Sequence, residues 1–131
     1  MRSTDVGWVE YLGWLFISPN GRIPRSTYWA AKLGLLLTLL VIVGISVAME
    51  GTNSRDDPGW LWLPFILYLL AIVAVAIKRL HDRDMPAGWV FVCFVPYLGE
   101  LFSFIVLGCL KGTEGSNDYG PDPLEPEKAE T

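Results

Sequence analysis

Hydrophobic positions in this chain fall into four blocks, and the charges fall between them. The first block, DVGWVEYLGWLFI over residues 5–17, has a helical period: Trp8, Tyr11, Leu12, Leu15 and Phe16 stand at i, i+3, i+4, i+7 and i+8. It predicts a short amphipathic helix, opened by Asp5, whose charge complements the helix dipole. The block is too short and too polar to cross a bilayer. Its aromatic residues suit a helix lying in a membrane interface, and its period equally suits a helix packed on the rest of the protein. SPNG at 18–21 is turn chemistry.

The next three blocks are apolar all round. Pro24 ends any earlier helix, Ser26 or Thr27 can cap a new one, and residues 28–49 then stay apolar apart from Lys32. Tyr28 and Trp29 belong at headgroup level, and Lys32, one turn in, can snorkel back to it. Such a helix reaches about 33 Å, enough to cross the hydrocarbon layer. SVA at 46–48 loosely fits a signal-peptidase site. The stretch before the apolar core carries aromatic and turn elements instead of a simple basic leader, so an anchor is the better reading. A polar connector, EGTNSRDDPG at 50–59, leads to a second span at 60–77, with Trp60 and Trp62 at its interface and Pro64 near its first turn. KRLHDRD at 78–84 follows as an interfacial stop, because charges that are costly at mid-membrane are cheap in headgroups and water.

The third apolar run covers 88–110 but carries Pro96, Gly99 and Glu100 in its middle. One kinked span is expected; a re-entrant hairpin is the alternative, with limbs too short to cross and a turn that needs protein or water to satisfy it. GTEGSNDYGPDP then reads as turn-rich, and residues 124–131 as a disordered acidic tail. The expected architecture is an all-α membrane protein. An interfacial helix and turn occupy 1–20. A membrane domain over 21–123 holds three transmembrane helices at about 28–49, 60–77 and 88–110, the third kinked or re-entrant.

Composition sharpens the class. The chain is 52% hydrophobic and 18% charged, against about 45–50% and about 25% for globular domains. A soluble domain of 131 residues has too much surface for its volume to hide such runs. The net charge of −4 conceals an asymmetry: Arg2, Arg22, Arg25 and Lys32 precede or open the first span, and six acids follow residue 110. Lys and Arg counts near the span ends put the N-terminus and the second connector inside and the first connector outside. The tail lies outside if the third run crosses once. Nucleic acid is not expected as a partner, since no basic stripe exceeds three cations. Cys93 and Cys109, both within one apolar run, read as small buried apolar residues.

Two places carry candidate chemistry. Arg79, His81, Asp82 and Arg83, with Arg22 and Arg25, read first as solvated positive-inside loops whose ion pairs are worth under about 1 kcal/mol each. The sharper alternative is a site where the arginines bind an anionic lipid headgroup, a solute phosphate or a protein partner, with His81 titrating near neutrality. Glu100 is the one acid deep in an apolar run. At mid-depth it would face a partner, a cavity or another subunit; in a wetted kink it would be inert. Lys32, Thr38, Ser46 and Ser103 are the polar groups within reach of the same layer. A single histidine and scattered cysteines argue against zinc, the tail acids lack calcium-loop spacing, and no cofactor motif is present. An enzyme is not expected.

Three motifs fall in order around the apolar runs: GRIPRSTYW, KRLHDRDMPAGW and GTEGSNDYGPDP. Together they resemble the DUF805 family of small bacterial inner-membrane proteins. The match rests on Gly21, Arg22, Arg25, Tyr28 and Trp29; on Arg79, Leu80, His81, Asp82, Gly88 and Trp89; and on Gly112, Thr113, Gly115, Asn117, Tyr119, Gly120, Asp122 and Pro123. It covers roughly residues 16–123. Lys78 stands where the family pattern commonly has arginine, and Val90 where it has a second tryptophan. The resemblance implies a multi-pass protein of the bacterial inner membrane and brings no catalytic mechanism with it. The expected function is a non-enzymatic scaffold or accessory subunit working through lipid or protein partners. The alternative is an oligomeric transporter or channel for a small solute or ion, using Glu100.

Overall fold

The apolar blocks at 28–49 and 60–77 form the two long helices among the described residues. The computed structural model describes residues 7–50 and 62–125. Most of the polar connector, the Trp60 interface and nearly all of the acidic tail therefore lie outside the described residues. Four α-helices form among the described residues: α1 (Trp8–Ile17), α2 (Arg25–Glu50), α3 (Trp62–Asp82) and α4 (Leu98–Phe102). A 3-10 segment, Ala87–Phe94, precedes α4, and a π-helical segment, Ser103–Cys109, continues it. No strand forms among the described residues; one antiparallel bridge, Asn117–Gly120, closes the tail turn.

Both α2 and α3 are long and apolar enough to cross a bilayer; the 21 residues of α3 reach about 31 Å at 1.5 Å each. Leu33, Leu37, Leu40, Val41 and Val47 of α2, and Leu63, Leu67 and Leu70 of α3, are all more than half exposed. In water such shafts would aggregate; acyl chains are the solvent that matches them. The core sits at one end, where Leu15, Ile23, Tyr28, Val75, Leu80 and Leu107 close on one another.

α3 runs five residues past the expected end of its span, through the charge cluster to Asp82. The expectation that the helix stops where the charges begin assumed that water solvates them. Lys78, Arg79, His81 and Asp82 are instead all buried; Lys78, Arg79 and Asp82 find their partners inside the protein, whereas His81 Nδ1 meets no hydrogen-bond partner among the described residues.

α1 starts and ends close to where the sequence puts it, but its face is rotated. Leu15 is buried, and Tyr11, Trp14 and Phe16 pack against the core. Trp8, Val9, Leu12 and Ile17 stay exposed, so the helix is apolar on both sides.

The third apolar run does not make a third long helix. Its first limb, Ala87–Phe94, leaves the end of α3. The chain reverses at Pro96 and Tyr97, the latter at φ 61. The second limb returns: the Gly99 amide bonds the Val95 carbonyl at 2.6 Å, and Trp89 stacks on Phe102 across the limbs, ring centroids 6.2 Å apart. The run ends beside its own beginning, with Leu107 bonded to Arg79 at the end of α3 and Gly108 against Trp29 at the start of α2. The expected single kinked span is thus replaced by a hairpin. Pro96 and Gly99 reverse the chain, and the hairpin keeps its ends where side chains can satisfy its backbone.

Candidate functional site

A helix leaves its last carbonyls without amide partners. In the returning limb the last backbone bond runs from the Leu110 amide to the Ile105 carbonyl. Each of the next carbonyls is met by a side chain from α2, from α3 or from Arg83 just past it. Arg83 Nη1 donates to Val106 at 3.2 Å, and Arg79 Nε to Leu107 at 2.7 Å. Trp29 Nε1 donates to Gly108 at 3.1 Å, and Arg25 Nη1 to Cys109 at 3.0 Å. Arg79 Nη2 adds Leu110 at 2.6 Å. Three guanidinium groups thus gather at the negative end of one short helix, where cations are favoured. Gly108 permits the approach: a Cβ there would lie 2.5 Å from the Trp29 ring.

Asp82 sits at the centre of the same end. Its Oδ2 accepts from Arg79 Nη1, and its Oδ1 lies 3.1 Å from Arg22 Nη2 and accepts from Arg22 Nε at 3.2 Å. Buried charges are tolerable when paired and hydrogen-bonded on every side, and here they are. Arg22 then reaches into the tail, donating to the Gly115 carbonyl at 2.7 Å, to Thr113 at 2.7 Å and to Gly120 at 3.1 Å. The Asp82 carbonyl accepts from the Thr113 amide at 2.7 Å and from its hydroxyl at 2.9 Å. A Cβ on Gly112 would overlap the Asp82 carboxylate, so that position admits only glycine without rearrangement.

The tail forms a folded cap. Asn117 Nδ2 donates to the His81 carbonyl at 2.8 Å, and the Tyr119 ring stacks flat on the His81 imidazole, centroids 4.0 Å apart. Asp122 ties the turn, accepting from the amides of Leu124 at 2.9 Å and Gly115 at 3.1 Å. These amides, Leu124 foremost, hold the Asp122 carboxyl below the usual carboxylate range.

Lys78 makes a second clamp. Its ammonium donates to the carbonyls of Trp14 at 2.6 Å, of Leu15 at 2.8 Å and of Ser18. It also stands 4.7 Å from the centroid of a Trp14 ring. This is the C-terminal end of α1, so Lys78 and Arg79 each close the open end of a different helix.

Of the residues singled out by sequence, Arg22, Arg25, Arg79, His81, Asp82 and Arg83 converge on this one end, as do all three motifs. The reading of the second motif as a solvated loop is corrected: Arg79 is 0% and Asp82 4% exposed. The donors of Arg22 and Arg79 are directed inward. Glu100 lies on the returning limb, exposed, and its carboxylate has no ion pair or hydrogen bond among the described residues. Thr38 and Ser46 turn their hydroxyls back on their own helix, to Gly34 and Ile42. Lys32 and Ser103, by contrast, meet at 2.9 Å, and Ser103 also bonds the Tyr28 hydroxyl at 2.7 Å. No group of three metal-ligating side chains forms among the described residues. A groove of about 730 Å³ runs between α2 and α3 below α1, lined by Phe16, Leu35, Leu39, Ile42, Leu67 and Ala71 among other apolar side chains.

Sequence reasoning missed the Lys78 clamp and the Trp29 bond. The one available signal was that KR continues a helical register directly from the apolar span.

A family model described as a protein of unknown function, DUF805, matches residues 16–121. Inner membrane protein YhaI of Escherichia coli strain K12 is 34% identical over 116 residues, 82% of this chain and 87% of that protein. Inner membrane protein YhaH of the same strain is 36% identical over 113 residues, 85% and 92% of the two chains. The uncharacterized protein YiiR, also of that strain, is 29% identical over 133 residues, covering 83% and 87%. No solved structure matches.

Proposed function

The chain belongs to the DUF805 family and is an inner-membrane protein, and from that premise we propose that it is a non-enzymatic scaffold or accessory subunit. One observation carries this reading: the arginines of its motifs are directed at backbone carbonyls of its own hairpin and tail. Groups so committed fix a shape; they are not poised to exchange protons or ligands. What the two long helices turn outward is chiefly apolar, as in the groove between them, and a partner helix or lipid chain is the matching occupant.

The topology follows the same reasoning. Both ends of the third run meet the start of α2 and the end of α3, which supports two spans and a re-entrant hairpin in place of three spans. The N-terminus, the second connector and the tail then share the cytoplasmic side, which gathers Arg22, Arg25, Arg79, Arg83 and Lys111 where cations are retained. α1, apolar on both sides, lies in the interface. Arg25, exposed at this end, is a cation placed to meet anionic lipid.

The scaffold reading is tested by photo-crosslinking from Leu39 and Ile42 in native membranes. One defined protein adduct, lost when Ala71 is changed to tryptophan to fill the groove, is the expected result. Adducts to lipid alone overturn the protein-partner form of the proposal. The topology is tested with cysteines at Ser54 and Asp118 in a Cys93→Ala, Cys109→Ala background. Position 54 should label from the periplasm and 118 only after the inner membrane is breached.

A second reading is favoured by the meeting of Lys32, Ser103 and Tyr28 near Glu100: a small-solute or ion pathway formed by an oligomer. It requires flux in reconstituted vesicles that Glu100→Gln abolishes.

A further inference from the structure

Two charges in the membrane-facing part of the molecule have no ion pair among the described residues. Lys32 is half-buried, one turn beyond Tyr28, and its ammonium lies 5.9 Å from the Tyr28 ring centroid and 5.8 Å from a Trp29 ring centroid. Its one hydrogen bond goes to the Ser103 hydroxyl, at 2.9 Å, so two of its three donors remain open. Glu100 precedes Ser103 by three residues, so the two share a face of the returning limb. Neither Lys32 nor Glu100 belongs to an ion pair among the described residues.

The two lie in one patch. Cys93, on the outgoing limb, is within electrostatic reach of both Lys32 and Glu100, and Tyr28 is within reach of Glu100. Phe104 packs edge-on against Trp29 at 5.7 Å yet is 55% exposed, and Leu101 is 56% exposed. The surface is therefore apolar and carries one acid and one base that do not pair with each other among the described residues. An uncompensated charge in that layer costs several kcal/mol, whichever scale is used.

We propose that a second copy of this chain docks on this patch about a two-fold axis, so that Lys32 of each copy pairs with Glu100 of the other. A two-fold contact is self-complementary when a patch carries both members of a pair, and this patch does. The association neutralises both charges at once and covers the apolar rim around them. A single lipid phosphate would satisfy the lysine and leave the carboxylate unpaired. The inference does not rest on the scaffold reading, and it supplies the oligomer that a transport reading needs.

The test is a charge-exchange cycle on the full chain in lipid vesicles, with copy number read by stepwise photobleaching and dimer affinity by energy transfer on dilution with lipid. Wild type should be dimeric. Lys32→Glu and Glu100→Lys should each weaken association by roughly tenfold or more, since each breaks two pairs by symmetry. The double exchange should restore it to within about twofold. Lys32→Gln and Glu100→Gln serve as milder variants; protection of the 112–122 turn from proteolysis checks in each that the hydrogen-bonded end around Asp82, the knot of the fold, still closes. Three outcomes overturn the proposal. A monomeric wild type is one. Single exchanges that leave dimerisation unchanged are another. The third is a double exchange that restores folding but not dimerisation, which would mean that the pair forms within one chain or through a zwitterionic lipid.

Discussion

The two ends of α2 live under different rules. From Leu33 to Val47 nearly every large side chain faces outward, and the hydroxyls present bond their own helix. At the other end Arg22, just before the helix, and Arg25, Tyr28, Trp29 and Lys32 on it reach across to other elements: to the tail, to Cys109, to Gly108 or to Ser103. The shaft needs only to be greasy and of the right length. The knotted end specifies which segments meet, because a buried donor finds only particular acceptors acceptable. The chain thus separates residence in the membrane from definition of the fold, and assigns each to a different stretch of the same helix.

The sharpest way to break this contrast is Arg79→Ala. It leaves Asp82 short of a partner and exposes two orphan carbonyls, and loss of one member of a buried pair costs about 3–5 kcal/mol. Reversible unfolding in mixed micelles should show a loss of that order, or the protein should fail to accumulate. Gly112→Ala tests the same centre by steric means. Its Cβ must displace the Asp82 carboxylate, and overpacking of this kind costs about 1–3 kcal/mol; the turn at 112–122 should become open to protease while α2 and α3 persist by circular dichroism.

Lys78→Met sharpens the comparison by releasing α1 alone. Three carbonyls lose their donor, about 1–3 kcal/mol in all, and cleavage should appear near Ser18–Asn20 with the hairpin still protected. A pH series probes the cap. The Asp122 carboxyl is held below its ordinary range by the Leu124 and Gly115 amides, so its contribution is complete above the unfolded value. That contribution is lost as pH falls through the depressed folded one. Hydrogen exchange at Gly115 and Leu124 should quicken only below about pH 4. The smallest effect is expected on the shaft. Leu37→Ala and Leu40→Ala change lipid-facing positions and should stay within about 0.5 kcal/mol.

Much of this was legible before the fold was known. Apolar run length marks α2 and α3, because a bilayer demands a set number of residues. The three motifs mark the knot, and their members do converge. The role of the motifs was not legible, and neither was the end of α3. Arg79 and Asp82 are three residues apart and read as a local pair, but nothing local says that the pair is buried. The partners that bury it are carbonyls 28 and 31 positions away for Arg79, and 91 to 98 away for Arg22. Every residue carries a carbonyl, so no side-chain pattern announces which one is chosen. The hairpin was obscured for a related reason. Pro96 and Gly99 signal a break, but only the capture of Val106 to Cys109 says which way the chain goes afterwards. α1 was misread by face, since Trp8 and Leu12 obey the helical period as well as Tyr11 and Leu15 do.

The reach of Arg22 into residues 113–120 also bears on biosynthesis. A ribosome delivers Arg22 long before it delivers the carbonyls that Arg22 will hold, and both long helices have emerged by then. The nascent protein must therefore wait with its guanidinium and carboxylate groups in the headgroup layer, and it locks only when the final turn arrives. A transcript truncated after residue 110 would yield a protein that inserts but never closes, and its stranded charges would offer a membrane protease a means of telling it from the finished product.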